Sequence, residues 1–138
     1  MRLYTGGTFD LFHAGHANFL KHCRKLADEV VVCLNTDEFV EEFKGKRPII
    51  PYEQRESVLL SCKYVDKVIK NIGGKDSKPT ILQVVPDIIA IGDDWAKKDY
   101  FEQMQFTREW LESMNITLVY IPCVNKEVLS SSVIKTRL

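Results

Sequence analysis

Several features that mark other classes of protein are missing from this sequence of 138 residues. Nineteen basic and nineteen acidic residues leave no net charge, so no overall field favours a nucleic-acid or membrane partner and any basic site must be local. No stretch approaches the roughly 20 apolar residues of a membrane span. The N-terminal MRLYTGGTFD also lacks a signal peptide's apolar core and cleavage site. These absences predict a cytoplasmic protein that binds neither nucleic acid nor membrane.

Patterns typical of metal and dinucleotide sites are missing as well. The four cysteines, Cys23, Cys33, Cys62 and Cys123, form no CxxC pair, and most of them fall inside apolar runs. This spacing argues against a zinc site, and we expect buried, reduced thiols. The sequence has no GxGxxG loop, so nothing in it supports an enzyme of the NAD-binding type.

The composition that is present is that of an ordinary globular protein, with 45% hydrophobic and 28% charged residues. We expect one domain over residues 1–138. Apolar patterning predicts helices near 14–26, 37–43, 52–62, 80–85 and 100–114. Buried strands are predicted near 3–5, 30–34, 65–69, 87–91 and 116–121. This alternation predicts an α/β fold, an open parallel five-stranded sheet with helices on both faces.

Ligands of such sheets bind beyond the carboxyl ends of the strands, which directs attention to the loops after Thr5, Leu34, Ile91 and Ile121. The first of these loops opens the segment GGTFDLFHAGH, residues 6–16. Its glycines let a ligand approach the backbone closely, and His13 and His16 stand at the start of a predicted helix. Free N–H groups and the helix dipole favour phosphate there. Metal ligation or simple helix capping are the alternatives, and the metal reading lacks a third ligand nearby.

The segment GTFDLFHAGH resembles the first signature of the cytidylyltransferases, with their HxGH element. Further family elements follow in order: NTDEF from residue 35, KGK from 44, YEQR from 52, KYVD from 63 and GDDW from 92. The resemblance covers nearly the whole chain. TDEF and GDDW make it most similar to bacterial glycerol-3-phosphate cytidylyltransferases, and it implies the Rossmann-like nucleotidyltransferase fold.

The resemblance implies that CMP is transferred from CTP to a small phosphorylated alcohol, such as glycerol 3-phosphate, with release of pyrophosphate. Mg²⁺ would arrive on the triphosphate rather than in a dedicated protein metal site. Relatives of this size pair, so a homodimer is expected. Two alternatives stay open: an adenylyltransferase acting on a sugar phosphate or cofactor phosphate, and a nucleotide-binding module without catalysis.

The resemblance also assigns roles to individual residues. Catalysis falls to His13, His16, Lys44 and Lys46. Nucleotide binding falls to the same two histidines and Lys46, together with Gly7, Thr8, Phe9, Gly15, Lys63, Gly92, Asp93, Ser130, Ser131 and Ser132. Substrate binding falls to Asp10, Lys44, Arg55, Asp94 and Trp95.

Some of these assignments have structural alternatives. Asp10 could stabilise its own loop, and Arg55 and Lys63 could be surface charges. Asp93 or Asp94 could cap a helix while Trp95 packs in the core. Lys75 and Lys78 flank the place where relatives hold a substrate-side lysine, although both could equally face solvent.

The sequence departs from the family pattern in three places. Lys63 stands where relatives usually carry arginine, which keeps the charge but loses bidentate phosphate recognition. Near the C-terminus the serines at 130–132 are present but the family's preceding arginine is not, and Lys126 is a candidate replacement. The segment from Lys97 to Asn115 is longer than in relatives and could act as a lid, a dimer element or a substrate-selecting insert.

Overall fold

The structure is a computed structural model, and it describes residues 1–92 and 105–122. Five strands and five helices alternate along this part of the chain. The strands are β1 (Arg2–Gly7), β2 (Glu29–Leu34), β3 (Lys67–Lys70), β4 (Ile88–Gly92) and β5 (Thr117–Ile121). The helices are α1 (Ala14–Leu26), α2 (Asp37–Lys44), α3 (Tyr52–Ser61), α4 (Lys78–Val84) and α5 (Arg108–Ser113).

The strands form one parallel sheet in the order β3-β2-β1-β4-β5, which confirms the predicted fold class. Pairing between β1 and β2 extends from Arg2 to Gly7. The ladder between β1 and β4 is much shorter and joins only Leu3 to Ile88 and Tyr4 to Ile89. The chain reverses its direction of travel across the sheet between β1 and β4, so this is the switch point at which such folds bind ligands.

Burial between two layers of helices explains why the strand sequences are continuous apolar runs. From Val30 to Leu34, every residue of β2 is buried, because helices cover both faces of the sheet. One face packs with α4 and α5, through residues such as Ile81 and Leu111. On the other face, Leu20 and Cys23 of α1 and Leu59 of α3 are completely buried.

Local signals set the element boundaries. Thr36 caps α2 by accepting a hydrogen bond from the backbone N–H of Phe39, and Thr107 caps α5 in the same way. The predicted strand near 65–69 is shifted in the structure and starts at Lys67. The backbone N–H of Val65 still donates to Cys62 in the turn after α3, although its side chain is buried. The apolar pattern of this segment therefore includes Val65, a buried residue that precedes the strand.

The three described cysteines are unpaired, as expected. Cys23 and Cys33 are buried, and Cys62 is partly buried. Burial raises the pKa of the Cys23 thiol to about 12. In the described part of the chain, no helix is both long enough and apolar enough to traverse a bilayer.

Candidate active site

A cleft of about 140 Å³ lies along the carboxyl edge of the sheet. Gly6 and Gly7 of β1 and Gly92 of β4 line it at the switch point, and Asn35 and Asn71 line it beyond β2 and β3. The cleft therefore spans four neighbouring strands. This is where the sequence predicted the ligand to bind.

The loop between β1 and α1 has an unusual backbone conformation. Phe9 and Leu11 have φ angles of 50° and 52°, in a region that side-chain-bearing residues rarely adopt. Asp10, 3% exposed, holds the loop by accepting hydrogen bonds from the backbone N–H groups of Ile49 and Ile50 at 2.8 and 2.9 Å. A carboxylate oxygen can accept more than one hydrogen bond, so the predicted substrate contact of Asp10 stays a prediction. Stabilisation of the loop, the alternative reading, is its observed role.

The two histidines are interlocked at the N-terminus of α1. His13 is the N-cap residue, and its Nδ1 accepts from the backbone N–H of Gly15 at 3.0 Å. His16 Nδ1 accepts from the backbone N–H of His13 at 3.2 Å, and the rings stack with centroids 3.9 Å apart. Because each Nδ1 accepts, each neutral ring carries its proton on Nε2. The Nε2 of His13 is buried and finds no partner among residues 1–92 and 105–122.

Both rings are held in the neutral form. Burial, followed by the neighbouring charge of His13, lowers the pKa of His16 to about 4, against an opposing pull from Asp10. Burial also lowers the pKa of His13. At neutral pH the pair therefore presents two Nε2–H donors beside a helix N-terminus, an arrangement suited to phosphate oxygens.

The lowered pKa of His16 predicts a specific pH dependence of stability. The unfolded chain binds a proton on this ring below its ordinary pKa, whereas the folded protein resists protonation until about pH 4. Stability should therefore fall as pH decreases through this window, by roughly 2 kcal/mol between pH 7 and 4.5. The free energy of unfolding, measured with urea at several pH values across that range, should change less with pH for His16→Ala than for the parent. An identical slope in the two proteins would contradict the neutral ring.

Arg55 is built into the scaffold rather than exposed to substrate or solvent. It is 2% exposed, and its Nε and Nη1 donate to the carbonyl oxygens of Ile50 and Thr8 at 2.8 and 2.7 Å. Its Nη2 donates to Asp37 Oδ1 at 2.7 Å. These bonds tie the β1–α1 loop to the start of α2 and to the loop before α3. They correct both sequence-based readings of Arg55, substrate binding and surface charge, because a charge pattern does not reveal burial.

The remaining predicted residues divide by position. Gly7 and Gly92 line the cleft. Thr8 Oγ1 accepts from Asn35 Nδ2, and the Phe9 ring lies 5.3 Å from that of His16. Lys44, Lys46 and Lys63 are exposed and do not line the cleft, so their roles stay predictions. Asp93, Asp94, Trp95, Lys126, Ser130, Ser131, Ser132 and the first part of the Lys97–Asn115 segment lie outside the described residues.

Several cleft residues were missed by the sequence reasoning, and most belong to the loop after β3. The missed residues are Asn71, Gly74 and Ser77, and they line the cleft together with Lys75, which the sequence analysis had named as a candidate. Lys78, by contrast, donates to the carbonyl oxygen of Gln105 at 2.8 Å, so Lys75 is the better placed of the two candidate lysines. The rule that directs attention to carboxyl ends of strands would have found this loop, had it been applied to the third strand.

The loop after β3 is closely fitted at its start. A Cβ at Gly73 would lie 2.1 Å from the carbonyl oxygen of Asp76, so no side chain fits without moving the backbone. Gly74 has a φ of +57°. Asn71 Nδ2 donates to the Gly74 carbonyl oxygen at 3.0 Å, which fixes the loop against the end of β3.

Comparisons with known proteins identify the family of this chain. Residues 4–137 match the family model described as cytidylyltransferase-like. A FAD synthase from Pyrococcus abyssi is 36% identical over 129 residues, covering 92% of this chain and 84% of that protein. A FAD synthase from Pyrococcus horikoshii is 44% identical over 94 residues, covering 68% of this chain but only 64% of that protein.

Solved structures also resemble this fold. A lipopolysaccharide core biosynthesis protein from Thermoplasma volcanium superposes with a TM-score of 0.72 at 34% identity, covering 88% of this chain and 95% of that one. A pantothenate synthetase from Thermus thermophilus has a TM-score of 0.63 at 16% identity, which supports the fold alone. The predicted family is confirmed, but these sequence relatives are FAD synthases and not the glycerol-3-phosphate cytidylyltransferases that the motifs suggested.

Proposed function

Because the chain belongs to the cytidylyltransferase-like family of nucleotidyltransferases, we propose that it transfers AMP from ATP to FMN. An oxygen of the FMN phosphate attacks the α-phosphorus of ATP, the bond from that phosphorus to the bridging oxygen breaks, and pyrophosphate leaves. The products are FAD and pyrophosphate. This is the cofactor-phosphate alternative of the sequence reasoning, and the FAD synthases among the relatives favour it over CTP and glycerol 3-phosphate.

The observation that carries this proposal is the interlocked pair of neutral histidines. Their Nδ1 atoms are occupied by backbone N–H groups, which leaves two Nε2–H donors fixed in orientation at the start of α1. Preorganised donors stabilise charge that develops on a phosphate during transfer, without reorganising at the moment of reaction. The reaction needs no covalent enzyme intermediate, so positioning and charge stabilisation are the protein's main tasks.

We assign different parts of the cleft to the two substrates. The ATP phosphates would lie at the switch point near Gly7 and Gly92, and FMN would lie over β2 and β3. Lys75 adds a positive charge on the FMN side. We retain Lys44 and Lys46, which flank Gly45 at the end of α2, as the cations that approach the phosphates from outside the cleft.

Mg²⁺ fits this site as a companion of the triphosphate. In the described ranges, no three side chains of the metal-ligating types gather into a cluster, and both oxygens of Asp10 accept backbone hydrogen bonds. We propose that the ion is held chiefly by phosphate oxygens, where it would neutralise charge on the leaving pyrophosphate. We also retain the homodimer as a proposal, which light scattering on the purified protein would test.

A release assay for pyrophosphate tests the proposed function directly. The purified protein is incubated with ATP or CTP and with FMN, glycerol 3-phosphate or phosphocholine, and FAD is identified by chromatography. We expect FAD formation from ATP and FMN, and its loss in excess chelator. Riboflavin is the matched control, because it lacks the attacking phosphate. Faster release from CTP and glycerol 3-phosphate would instead favour the cytidylyltransferase reading, and no release with any pair would favour a binding module.

A further inference from the structure

Asn71, the first residue after β3, has an amide group whose orientation is fixed by its neighbours. The Gly74 carbonyl oxygen can only accept, so the Asn71 atom 3.0 Å from it must be the NH₂ nitrogen. The same nitrogen lies 3.0 Å from Asn35, which must then present its oxygen. The Asn35 NH₂ group in turn donates to Thr8 Oγ1 at 3.2 Å. The Gly74 carbonyl oxygen therefore fixes the orientation of the Asn71 amide, which in turn fixes that of Asn35.

This orientation leaves the Asn71 Oδ1 atom buried and without a hydrogen-bond partner in the part of the chain that the structure describes. A buried acceptor without a donor is costly, and such groups are rare in folded proteins unless a ligand or water completes them. Asn71 is one of the residues that line the cleft, which places this acceptor next to the space that a bound molecule would occupy. An N–H or O–H group of a bound molecule would satisfy this acceptor.

We propose that Asn71 is a specificity-determining residue that accepts a hydrogen bond from the imide N–H of the flavin ring. The inference rests on the proposed function, since it takes FMN as the acceptor. The oxidised ring system has a single N–H donor, and Asn71 Oδ1 is the one buried side-chain acceptor left unsatisfied within residues 1–92 and 105–122.

The position and surroundings of Asn71 suit this role. It follows β3, two strands away from β1, which corresponds to about 10 Å from the end of β1, where the histidine loop begins, at normal strand spacing. The ribityl chain of FMN bridges a separation of that order between its phosphate and its ring. Phe39 provides an aromatic wall in the cleft. A Cβ at Gly74 would lie 3.7 Å from the Phe39 ring, so the missing side chain leaves a gap beside that ring.

A pair of acceptors and a pair of variants test this assignment. The acceptors are FMN and 3-methyl-FMN, in which a methyl group replaces the imide proton. For the parent, kcat/KM should be about 10- to 100-fold higher with FMN than with 3-methyl-FMN, because the analogue leaves Asn71 Oδ1 unpaired. The kcat/KM of Asn71→Ala with FMN should be lower than that of the parent by a similar factor. The loss should arise mainly from a higher KM, since this contact is remote from the reacting phosphorus. The variant should then use the two acceptors equally well.

Controls separate recognition from a general disturbance of the loop. Ile72→Ala changes the adjacent residue, which is 64% exposed, and should keep the parent's preference for FMN. The KM for ATP should stay unchanged in both variants. If the parent makes FAD but Asn71→Ala keeps its preference for FMN over 3-methyl-FMN, the assignment of Asn71 is wrong and the proposed function stands. If the parent makes no FAD from FMN, both are wrong.

Discussion

Replacing His16 by alanine should lower turnover by about 10²–10³, the usual cost of removing a fixed donor aimed at developing charge. The ring's Nδ1 accepts the backbone N–H of His13, so the proton available to substrate is the one on Nε2. Transition-state charge exceeds ground-state charge, so nucleotide affinity should fall less than turnover. Loss of the reciprocal capping contact should cost only about 1 kcal/mol of stability. Steady-state kinetics and thermal melting on the same preparation measure both effects.

Two further variants identify the cause of that loss. His16→Glu keeps a side-chain acceptor at the third helical position, where glutamate completes a capping box, but it replaces the donor with an anion. It should melt near the parent temperature and be at least as inactive as His16→Ala. His22→Ala, farther along the same helix, should retain full turnover. A folded His16→Ala that turns over within a few-fold of the parent would remove His16 from the mechanism.

Replacing Arg55 by alanine should reduce the free energy of unfolding by about 3–5 kcal/mol, which is typical for breaking a buried ion pair. The change would leave the carbonyl oxygens of Thr8 and Ile50 without their donor and the partly buried carboxylate of Asp37 without its closest cation. Arg55→Lys should restore little of this, because one ammonium cannot reach three acceptors arranged around a planar guanidinium. Urea unfolding at constant pH measures the loss.

Arg47 provides a matched control, because it approaches the other oxygen of the same carboxylate. Its guanidinium lies 3.9 Å from Asp37 and 2.6 Å from Glu41, and its side chain is 54% exposed. Exposed pairs of this kind contribute at most about 1 kcal/mol. The free energy of unfolding of Arg47→Ala should therefore be close to that of the parent. Equal losses for the two arginines would show that burial of Arg55 is not what stabilises the loop.

Much of the fold could be predicted because its signals are local. The continuous apolar run from Val30 to Leu34 is typical of a strand covered on both faces, and α1 begins and ends at the predicted residues. The histidine loop could be predicted because its residues are contiguous. The Asn35–Asn71 amide network could not, since two ordinary asparagines 36 positions apart meet only when β2 and β3 align. Arg55 was misread for a related reason: burial depends on what surrounds a charge, which sequence spacing alone does not give.

The short ladder between β1 and β4 divides the sheet into two parts, which we call its halves: the three strands β3, β2 and β1, and the two strands β4 and β5. Beyond Tyr4 and Ile89 the two halves share no paired backbone, although the Thr5 hydroxyl still reaches the Ala90 carbonyl oxygen at 2.8 Å. A nucleotide bound over this seam would touch both halves and act as a removable cross-link between them. Ligand present at 100 times its Kd adds about 2.7 kcal/mol to folding stability. That gain in stability would be concentrated where β1 meets β4, so release of product would also weaken the contact between the two groups of strands.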